Sequence, residues 1–269
     1  NVFIGYQAGK EATTADGNTV VGRFAGGAGG TMTGNLNTFI GNSAGAVVTS
    51  GANNTFVGSS AGAALNTGSD SVAIGFGAAD ASTTMGRFVA IGYGAMGTGV
   101  GTTATSYNIA IGYDSLKAIT SGNNNIAIGV DANKVADDES NNIAIGSTAL
   151  GGPINGGEYN VAIGNLTLDA LTSADYSVAV GYDAGSAITT GGNNTLMGYQ
   201  AGKHITTGTN NTGVGIQALY NFDTEGNNTA VGQSALGGAI AGGEYNVAIG
   251  NLTLDALTSG DLNTAIGYA

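Results

Sequence analysis

A five-residue motif recurs along the whole chain and constrains its fold more than any other feature. It reads Asn, a β-branched residue, a small or aromatic residue, Ile or Val, and Gly, and it occurs 16 times in 269 residues. Eleven of the 15 intervals between closing glycines are 17 residues long, and the others are 18, 18, 19 and 20. The chain is therefore a tandem repeat, and residues 1–269 are interpreted as a single repeat domain. The closing glycines are Gly5, Gly22, Gly41, Gly58, Gly75, Gly92, Gly112, Gly129, Gly146, Gly164, Gly181, Gly198, Gly215, Gly232, Gly250 and Gly267.

The positions before each glycine alternate in character, as in a β-strand. Numbered from the closing glycine, position −3 is Val, Ile or Thr in all 16 copies, and position −1 is Ile or Val in 15, with Met197 as the other. Alternate β-branched residues favour an extended chain over a helix. Positions −5, −3, −1 and +1 then form one bulky apolar face, and −4, −2 and 0 form a face of Asn, Ala and Gly. We expect this second, small-residue face, or another lightly charged face, to pack against other subunits.

The repeat length selects the architecture. Seventeen residues are too few for a β–α–β crossover, and no 3.6-residue periodicity indicates a helical hairpin. One unit cannot bury a face alone, so successive units must stack. The sequence predicts an all-β fold, a parallel β-solenoid (β-roll) of about 16 coils. Each coil would hold the motif strand, a bend, a second short extended piece such as residues 199–203, and a turn. Both ends of the sequence lie inside the motif, so we expect a segment of a longer fibre or a unit that stacks end to end.

Asparagine occupies position −4 in 13 of the 16 copies; Ser71, Phe88 and Ser177 are the exceptions. Side-chain amides stacked on their copies can form a hydrogen-bond ladder and satisfy backbone groups of the turns. This structural role is favoured over ligand contact. We assign it, together with the 16 glycines, to Asn108, Asn125, Asn142, Asn194, Asn211 and Asn228.

The composition excludes several classes of function. Cysteine is absent, which removes thiolate metal sites, and the net charge of −12 disfavours nucleic acid. No apolar run is long enough for a membrane-spanning helix, so no membrane insertion is expected in this segment. The single histidine, His204, has no recognisable catalytic partner, and no cofactor, metal or enzymatic activity is predicted. The acidic residues 137–139 are interpreted as a solvated turn rather than a weak Ca²⁺ site.

Three other features are candidates for binding. Ten of the 11 tyrosines occupy positions −5 and +1, and stacked tyrosines can hold sugar rings or a partner, or simply pack at a coil corner. The candidate ligand contacts are Tyr93, Tyr113, Tyr182 and Tyr199. Four insertions break the period, within 26–35, 97–107, 151–158 and 237–244, and are either functional loops or neutral variation. Thr and Ser pairs in the turns leave ice binding open as an alternative.

The motif is similar to that of a known family. Segments 160–164 (NVAIG) and 71–75 (SVAIG) resemble the YadA-like head repeats of trimeric autotransporter adhesins. Segment 194–202 (NTLMGYQAG) is similar to related repeats of phage tail-fibre-like proteins. The resemblance implies a left-handed parallel β-roll, a homotrimer and a surface-exposed fibre that attaches to something. The coil is longer than the usual head unit, and the sequence has no neck and no heptad coiled coil.

These observations predict a structural, non-enzymatic fibre segment. It would serve as a stiff spacer and attachment surface in a phage tail fibre or bacterial surface adhesin, located outside the cell or on the virion. Its partners would be copies of itself and a cell-surface glycan or protein receptor. Two alternatives stay open: a self-assembling structural filament, and an ice- or glycan-binding β-solenoid.

Overall fold

The computed structural model describes residues 1–27, 29–81, 83–98, 106–238 and 242–268. It divides into two compact units, Asn1–Ser140 and Asn141–Ala269. Each unit contains eight strands of three residues, which occupy positions −3 to −1 of the motif. The first unit holds β1 (Val2–Ile4), β2 (Thr19–Val21), β3 (Thr38–Ile40), β4 (Thr55–Val57), β5 (Val72–Ile74), β6 (Val89–Ile91), β7 (Ile109–Ile111) and β8 (Ile126–Ile128). The second holds β9 (Ile143–Ile145), β10 (Val161–Ile163), β11 (Val178–Val180), β12 (Thr195–Met197), β13 (Thr212–Val214), β14 (Thr229–Val231), β15 (Val247–Ile249) and β16 (Thr264–Ile266).

Within each unit, every strand pairs in parallel with the next strand along the chain. Val2 lies beside Thr19 in β2, and Ile111 beside Ile128 in β8, so the register advances by one repeat per strand. The predicted all-β parallel β-solenoid with a period of about 17 residues is thereby confirmed. The described residues form no α-helix, and hence none long and apolar enough to cross a bilayer.

The predicted second extended piece of each coil is wrong. Residues 199–204 form a succession of turns, with Gln200 and Gly202 in the left-handed region at φ 56° and 59°. These turns also stack coil on coil, because Gln200 N donates to Tyr182 O at 2.9 Å and Gly202 N to Ala218 O at 2.8 Å. Turn segments therefore continue the backbone hydrogen-bond ladder beyond the strands.

The closing glycine is required by both conformation and space. At Gly215 the backbone has φ +136°, and an added Cβ would lie 2.5 Å from the carbonyl oxygen of Gly232 in the next coil. The same close approach recurs along the column. Any side chain here would separate two coils, which explains why the glycine is invariant within the repeat.

The small-residue face lies inside the coil, so its expected role as a subunit contact is wrong. The −2 side chains of Ala73, Ala162 and Ala248 are fully buried, as are the −4 side chains of Asn54 and Asn211. The −3 and −1 residues point outward instead, and are exposed or half-buried in every strand whose centre is buried. The physical reason is the narrowness of the coil, because the turn segment folds back directly over the strand and leaves room for small side chains only.

Core packing depends on a size match between positions −2 and +4. Where −2 is large, +4 is glycine: an added Cβ at Gly45 would lie 2.9 Å from the ring of Phe39, and one at Gly202 would lie 2.6 Å from Leu196. In six coils −2 is small and +4 is large and buried, whereas the pairs Ala73–Ala79 and Ala179–Gly185 hold two small residues. The six reversed pairs are Ala90–Met96, Ala110–Leu116, Ala144–Leu150, Ala162–Leu168, Gly213–Leu219 and Ala230–Leu236.

Candidate functional site

The outward-facing residues of the strands form the largest apolar surface of each unit. We call the −3 and −1 side chains of a unit, with the −5 and +1 side chains beside them, the outer strand face. Ile40, Ile163 and Met197 are 40%, 37% and 44% exposed. Positions −3 and −1 carry only Val, Ile, Thr and Met in all 16 copies, and no charge. Such a continuous apolar surface is typical of an interaction site rather than of a solvated face.

Aromatic ladders run along both margins of the outer strand face. At position +1, Phe76, Tyr93 and Tyr113 stack with ring centroids 5.3 and 5.2 Å apart. At position −5, Tyr159 and Tyr176 stack at 5.2 Å. The rings are about half exposed, and their apolar surface widens the face.

The four tyrosines predicted as ligand contacts all lie in the +1 column at this margin. Tyr182 and Tyr199 stack on each other at 5.6 Å, and Tyr93 lies between two other rings. A ligand beside Tyr93 therefore meets the ring edge and the hydroxyl group, because neighbouring rings lie over both of its faces. Tyr93, Tyr113, Tyr182 and Tyr199 are between 46% and 52% exposed.

Charges at the margins of the outer strand face are few and lie in the first unit. Arg87 is 3.9 Å from the Asp70 carboxylate and lies over the Tyr107 ring at 5.7 Å. Arg23 lies over the Phe24 ring at 4.4 Å. In both places the guanidinium group rests on an aromatic ring, so it covers apolar surface while keeping its charge in water.

The asparagine column lies inside the coil and is out of reach of a ligand. Each side-chain carbonyl oxygen accepts from the backbone N–H of position −4 in the next coil, as in Asn228 N to Asn211 Oδ1 at 3.0 Å. Each amide donates to a turn carbonyl of the next coil, as in Asn211 Nδ2 to Glu225 O at 2.8 Å. Equivalent amide bonds of 2.7–3.0 Å are made by Asn108, Asn125, Asn142, Asn194 and Asn228.

The acidic turn at 137–139 is solvated at Asp137 and Asp138, as predicted, but not at Glu139. Glu139 is only 2% exposed, and its carboxylate accepts from Asp137 N at 2.8 Å. The equivalent Glu225 is 5% exposed and accepts from the backbone N–H groups of Asp223 and Thr224 at 2.9 and 3.1 Å. Both glutamates close a turn by binding backbone donors. The described residues include no group of three or more His, Cys, Asp or Glu side chains placed to hold a metal ion.

Ion pairs flank the turns on the side of the coil beyond the +1 column. Lys203 Nζ lies 2.8 Å from Asp183 Oδ2. Burial of the Asp183 carboxyl favours its neutral form, but hydrogen bonds from Lys203, Ser186 and Gln200 outweigh it and hold its pKa below the usual value. The pKa of the half-buried Asp169 is raised, first by burial and further by the charge of Asp183. This surface is polar, in contrast to the outer strand face.

Three of the four insertions lie partly outside the described residues, at 28, 99–105 and 239–241. The insertion within 151–158 is described in full. Its Ile154 is 6% exposed and packs near Gly157 and Leu171, so this insertion adds an apolar side chain to the core. The one insertion that is described in full therefore has a packing role.

No family model, no curated protein and no solved structure is significantly similar to the chain. The outer strand face was not named as a site by sequence reasoning, because alternation separates two faces without telling which is inside. The size match between −2 and +4 is the signal that orients them, since two positions that compensate in volume must face each other across a core.

Proposed function

We propose that the chain is a structural fibre segment that self-associates through its outer strand face and serves as a spacer and attachment surface. The observation that carries this proposal is that −3 and −1 carry only Val, Ile, Thr or Met, with no charge in any copy, combined with their outward orientation. The fold alone does not require it, because a solenoid strand can carry Lys, Glu or Gln outside. Retention of Ile or Val at the outward-facing −1 position in 15 of 16 copies, with Met197 in the other, indicates a partner.

The size of the face agrees with such a contact. Eight strands at about 4.8 Å, each presenting about five residues of roughly 3.3 Å, give a face on the order of 600 Å² in each unit. This is the upper end of the largest apolar patch found on ordinary monomers, about 300–600 Å². It approaches the roughly 800 Å² that each partner buries in a stable interface.

A second copy of the same chain is the partner that fits best. The face repeats once per strand, so a complementary surface must present apolar side chains at the same spacing. Another β-solenoid face of this chain does so. The absence of charge at −3 and −1 spares the centre of the face the desolvation cost of burying charged groups when two identical faces meet. The resemblance to YadA-like heads favours three copies, an extracellular or virion-surface fibre and a non-enzymatic role.

The test is the oligomeric state of the purified chain by light scattering coupled to size exclusion. The wild-type chain is expected to form a homo-oligomer, a trimer by the resemblance. The double variant I74K/I163K, with one exposed change in each unit, is expected to dissociate it. A monomeric wild-type chain at about 100 µM, a concentration far above that needed by a micromolar interface, would overturn the proposal.

The matched control carries the same charges on the other side of the coil. Position +5 holds lysine naturally at Lys117, Lys134 and Lys203, so A63K/S186K adds two lysines without touching the outer strand face. This control is expected to keep the wild-type oligomer. Dissociation of both double variants to the same extent would indicate a general charge effect and count against the proposed interface.

A further inference from the structure

The repeat is broken most strongly in two consecutive coils of the first unit, those that close at Gly75 and Gly92. Position +2 carries a side chain in every coil with a described +2 residue except two, where it is Gly77 and Gly94. In the same two coils the asparagine at −4 is replaced by Ser71 and Phe88, and position −5 carries its only cation, Arg87. Residues that depart from the column are not needed to build the coil, so this region has the freedom to serve another role.

The two glycines open a hollow in the surface beside the +1 aromatic column. Its volume is about 150 Å³, and its walls include Phe76, Tyr93, Asp80, Asp114 and Lys117. The +2 side chain fills this space in neighbouring coils. The hollow is half of the roughly 300 Å³ at which sites for drug-sized ligands begin, so it admits a single small ring.

One wall of the hollow is apolar and the other carries carboxylates. Phe76 and Tyr93 are 56% and 52% exposed and stack at 5.3 Å. Asp114, only 3% exposed, places Oδ1 over Gly94, 2.5 Å from where a Cβ of that glycine would be. That buried oxygen has no hydrogen-bond partner, although Oδ2 of the same carboxylate pairs with Lys117 at 2.7 Å.

Asp80 is the second acceptor of the hollow. Its Oδ2 lies 3.3 Å from the position of an added Cβ on Gly77, so it occupies the space left by that missing side chain. No Lys or Arg among the described residues lies within ion-pair distance of Asp80, and burial raises its pKa. A donor from outside the chain would satisfy Asp114 Oδ1, because a buried acceptor without a partner is costly. Asp80 accepts from its own backbone and has further acceptor capacity for a ligand hydroxyl.

We propose that this hollow binds one uncharged hexopyranose unit of a glycan. The apolar face of the sugar would lie against the edges of the Phe76 and Tyr93 rings, and its hydroxyl groups would donate to Asp114 Oδ1 and Asp80. Lys117 supplies a donor for a hydroxyl or ring oxygen, so that acceptors and donors both converge on one ring-sized space. The inference rests on the attachment role proposed above, and it names the chemistry that would be attached.

The experiment is calorimetric titration of the full chain with a panel of methyl hexopyranosides, with glucosamine and CaCl₂ titrated separately. At least one neutral glycoside is expected to bind with a dissociation constant in the millimolar range, typical of a single sugar in a shallow site. The variant G94Q should weaken this binding by about tenfold or more, because the new side chain fills the hollow. Gln200 and Gln217 occupy +2 at φ 56° and 57°, so the backbone accepts glutamine there.

Two matched controls separate the site from general effects. S60Q adds the same side chain at +2 in an adjacent coil outside the hollow, and is expected to keep binding within about twofold of wild type. Y182A removes a stacked ring elsewhere and should behave like S60Q, whereas Y93A and D80N should weaken binding. Equal loss in S60Q and G94Q would overturn the assignment.

The remaining outcomes are also decisive. Saturable binding of glucosamine or Ca²⁺ without any neutral glycoside would replace the sugar site by a cation site. Absence of binding to the whole panel, in a chain that assembles normally by light scattering, would overturn this inference while leaving the proposed assembly intact. Binding of a neutral glycoside by a chain that stays monomeric would support the sugar site and overturn the proposed assembly.

Discussion

Phe56 fills the space that a side chain on Gly62 would occupy. A Cβ added to Gly62 would lie 2.6 Å from the Phe56 ring, and Phe56 itself is fully buried. In the first unit the opposite combination is found at Ala110 and Leu116, which are also fully buried. One large and one small residue thus share one volume in most coils, and which of the two positions carries the large residue varies along the chain.

This relationship predicts a reciprocal rescue. F56A alone should lower the free energy of unfolding by about 3–5 kcal/mol through a cavity. G62L alone should lower it by about 1–3 kcal/mol or more through overpacking. The double variant F56A/G62L recreates the Ala–Leu arrangement, and its free energy of unfolding should return to within about 1.5 kcal/mol of wild type. The remaining difference would come from the lost stacking of Phe56 on Phe39.

Urea unfolding of the four proteins measures the coupling. Leucine at +4 is compatible with the backbone, because Leu116 has φ 46° and Gly62 has φ 58°. The control is G9L, which adds leucine at the same column against Phe3, a ring that is 39% exposed and free to move aside. Additive losses in the double variant would mean that positions −2 and +4 do not share one volume.

Substitution of an asparagine in the ladder is expected to lower the free energy of unfolding more than the small size of the side chain suggests. N211A removes the acceptor of the Asn228 N–H and the donor to Glu225 O, both buried. Two orphaned buried groups at about 1–3 kcal/mol each predict a loss of about 2–6 kcal/mol in the free energy of unfolding. The measurement is again urea unfolding.

Serine provides the graded control for the ladder. Ser177 stands in this column and its Oγ accepts from Asn194 N at 3.4 Å, a longer bond than the asparagine makes. N211S should therefore fall between wild type and N211A. If N211A and N211S lose stability equally, the hydrogen bond to the next coil contributes nothing measurable.

The repeat length and column chemistry sufficed to predict the solenoid, but not its orientation. The 17-residue period and the β-branched residues at −3 and −1 predict stacked parallel strands, and the structure has them. Alternation at Val161, Ala162 and Ile163 is compatible with either face inside. The turn segment decides, because its left-handed residues fold it back over Ala162, and single-residue propensities do not reveal that close approach.

The candidate sites differ in how far the sequence reveals them. The tyrosine columns were visible as periodic residues and lie at the margin of the outer strand face. The hollow at Gly77 and Gly94 was hidden, because a glycine-rich repeat makes two further glycines unremarkable; only the +2 column shows that they are unusual. The pairing of Asp80 with Asp114 required the structure, since they come from different coils and different columns.

Asn133 is a buried polar residue without hydrogen-bond partners for its side chain, and its replacement by an apolar residue should stabilise the protein. It lies at +4, fully buried, and neither its amide nitrogen nor its carbonyl oxygen has a hydrogen-bond partner. Leu116 occupies the same position in the preceding coil with the same left-handed backbone. N133L should raise the free energy of unfolding by about 1–3 kcal/mol, because two unsatisfied groups are replaced by apolar atoms. N125L, at the buried and bonded −4 column of the same coil, should destabilise; stabilisation by both would point to hydrophobicity alone.

Two aspartates in the second unit should respond to pH in opposite directions. The pKa of Asp183 is lowered, since hydrogen bonds from Lys203, Ser186 and Gln200 outweigh its burial. Its ionised form therefore contributes stability above the unfolded pKa of about 3.9, and this is lost as the pH falls through the folded pKa. The pKa of Asp169 is raised by burial and by Asp183, so its ionised form costs stability at neutral pH and protonation relieves that cost.

Substitution by asparagine tests the opposite effects of the two ionised carboxylates on stability. At pH 7, D183N should lower the urea midpoint and D169N should raise it, and each difference should shrink as the pH falls through the folded and unfolded pKa of that carboxyl, below which it is protonated in both states. D255N, at the same +5 column as Asp169, serves as the reference substitution. A shift of D183N and D169N in the same direction at pH 7 would contradict the assigned causes. So would a difference from wild type that persists unchanged at low pH, because charge would then not be its origin.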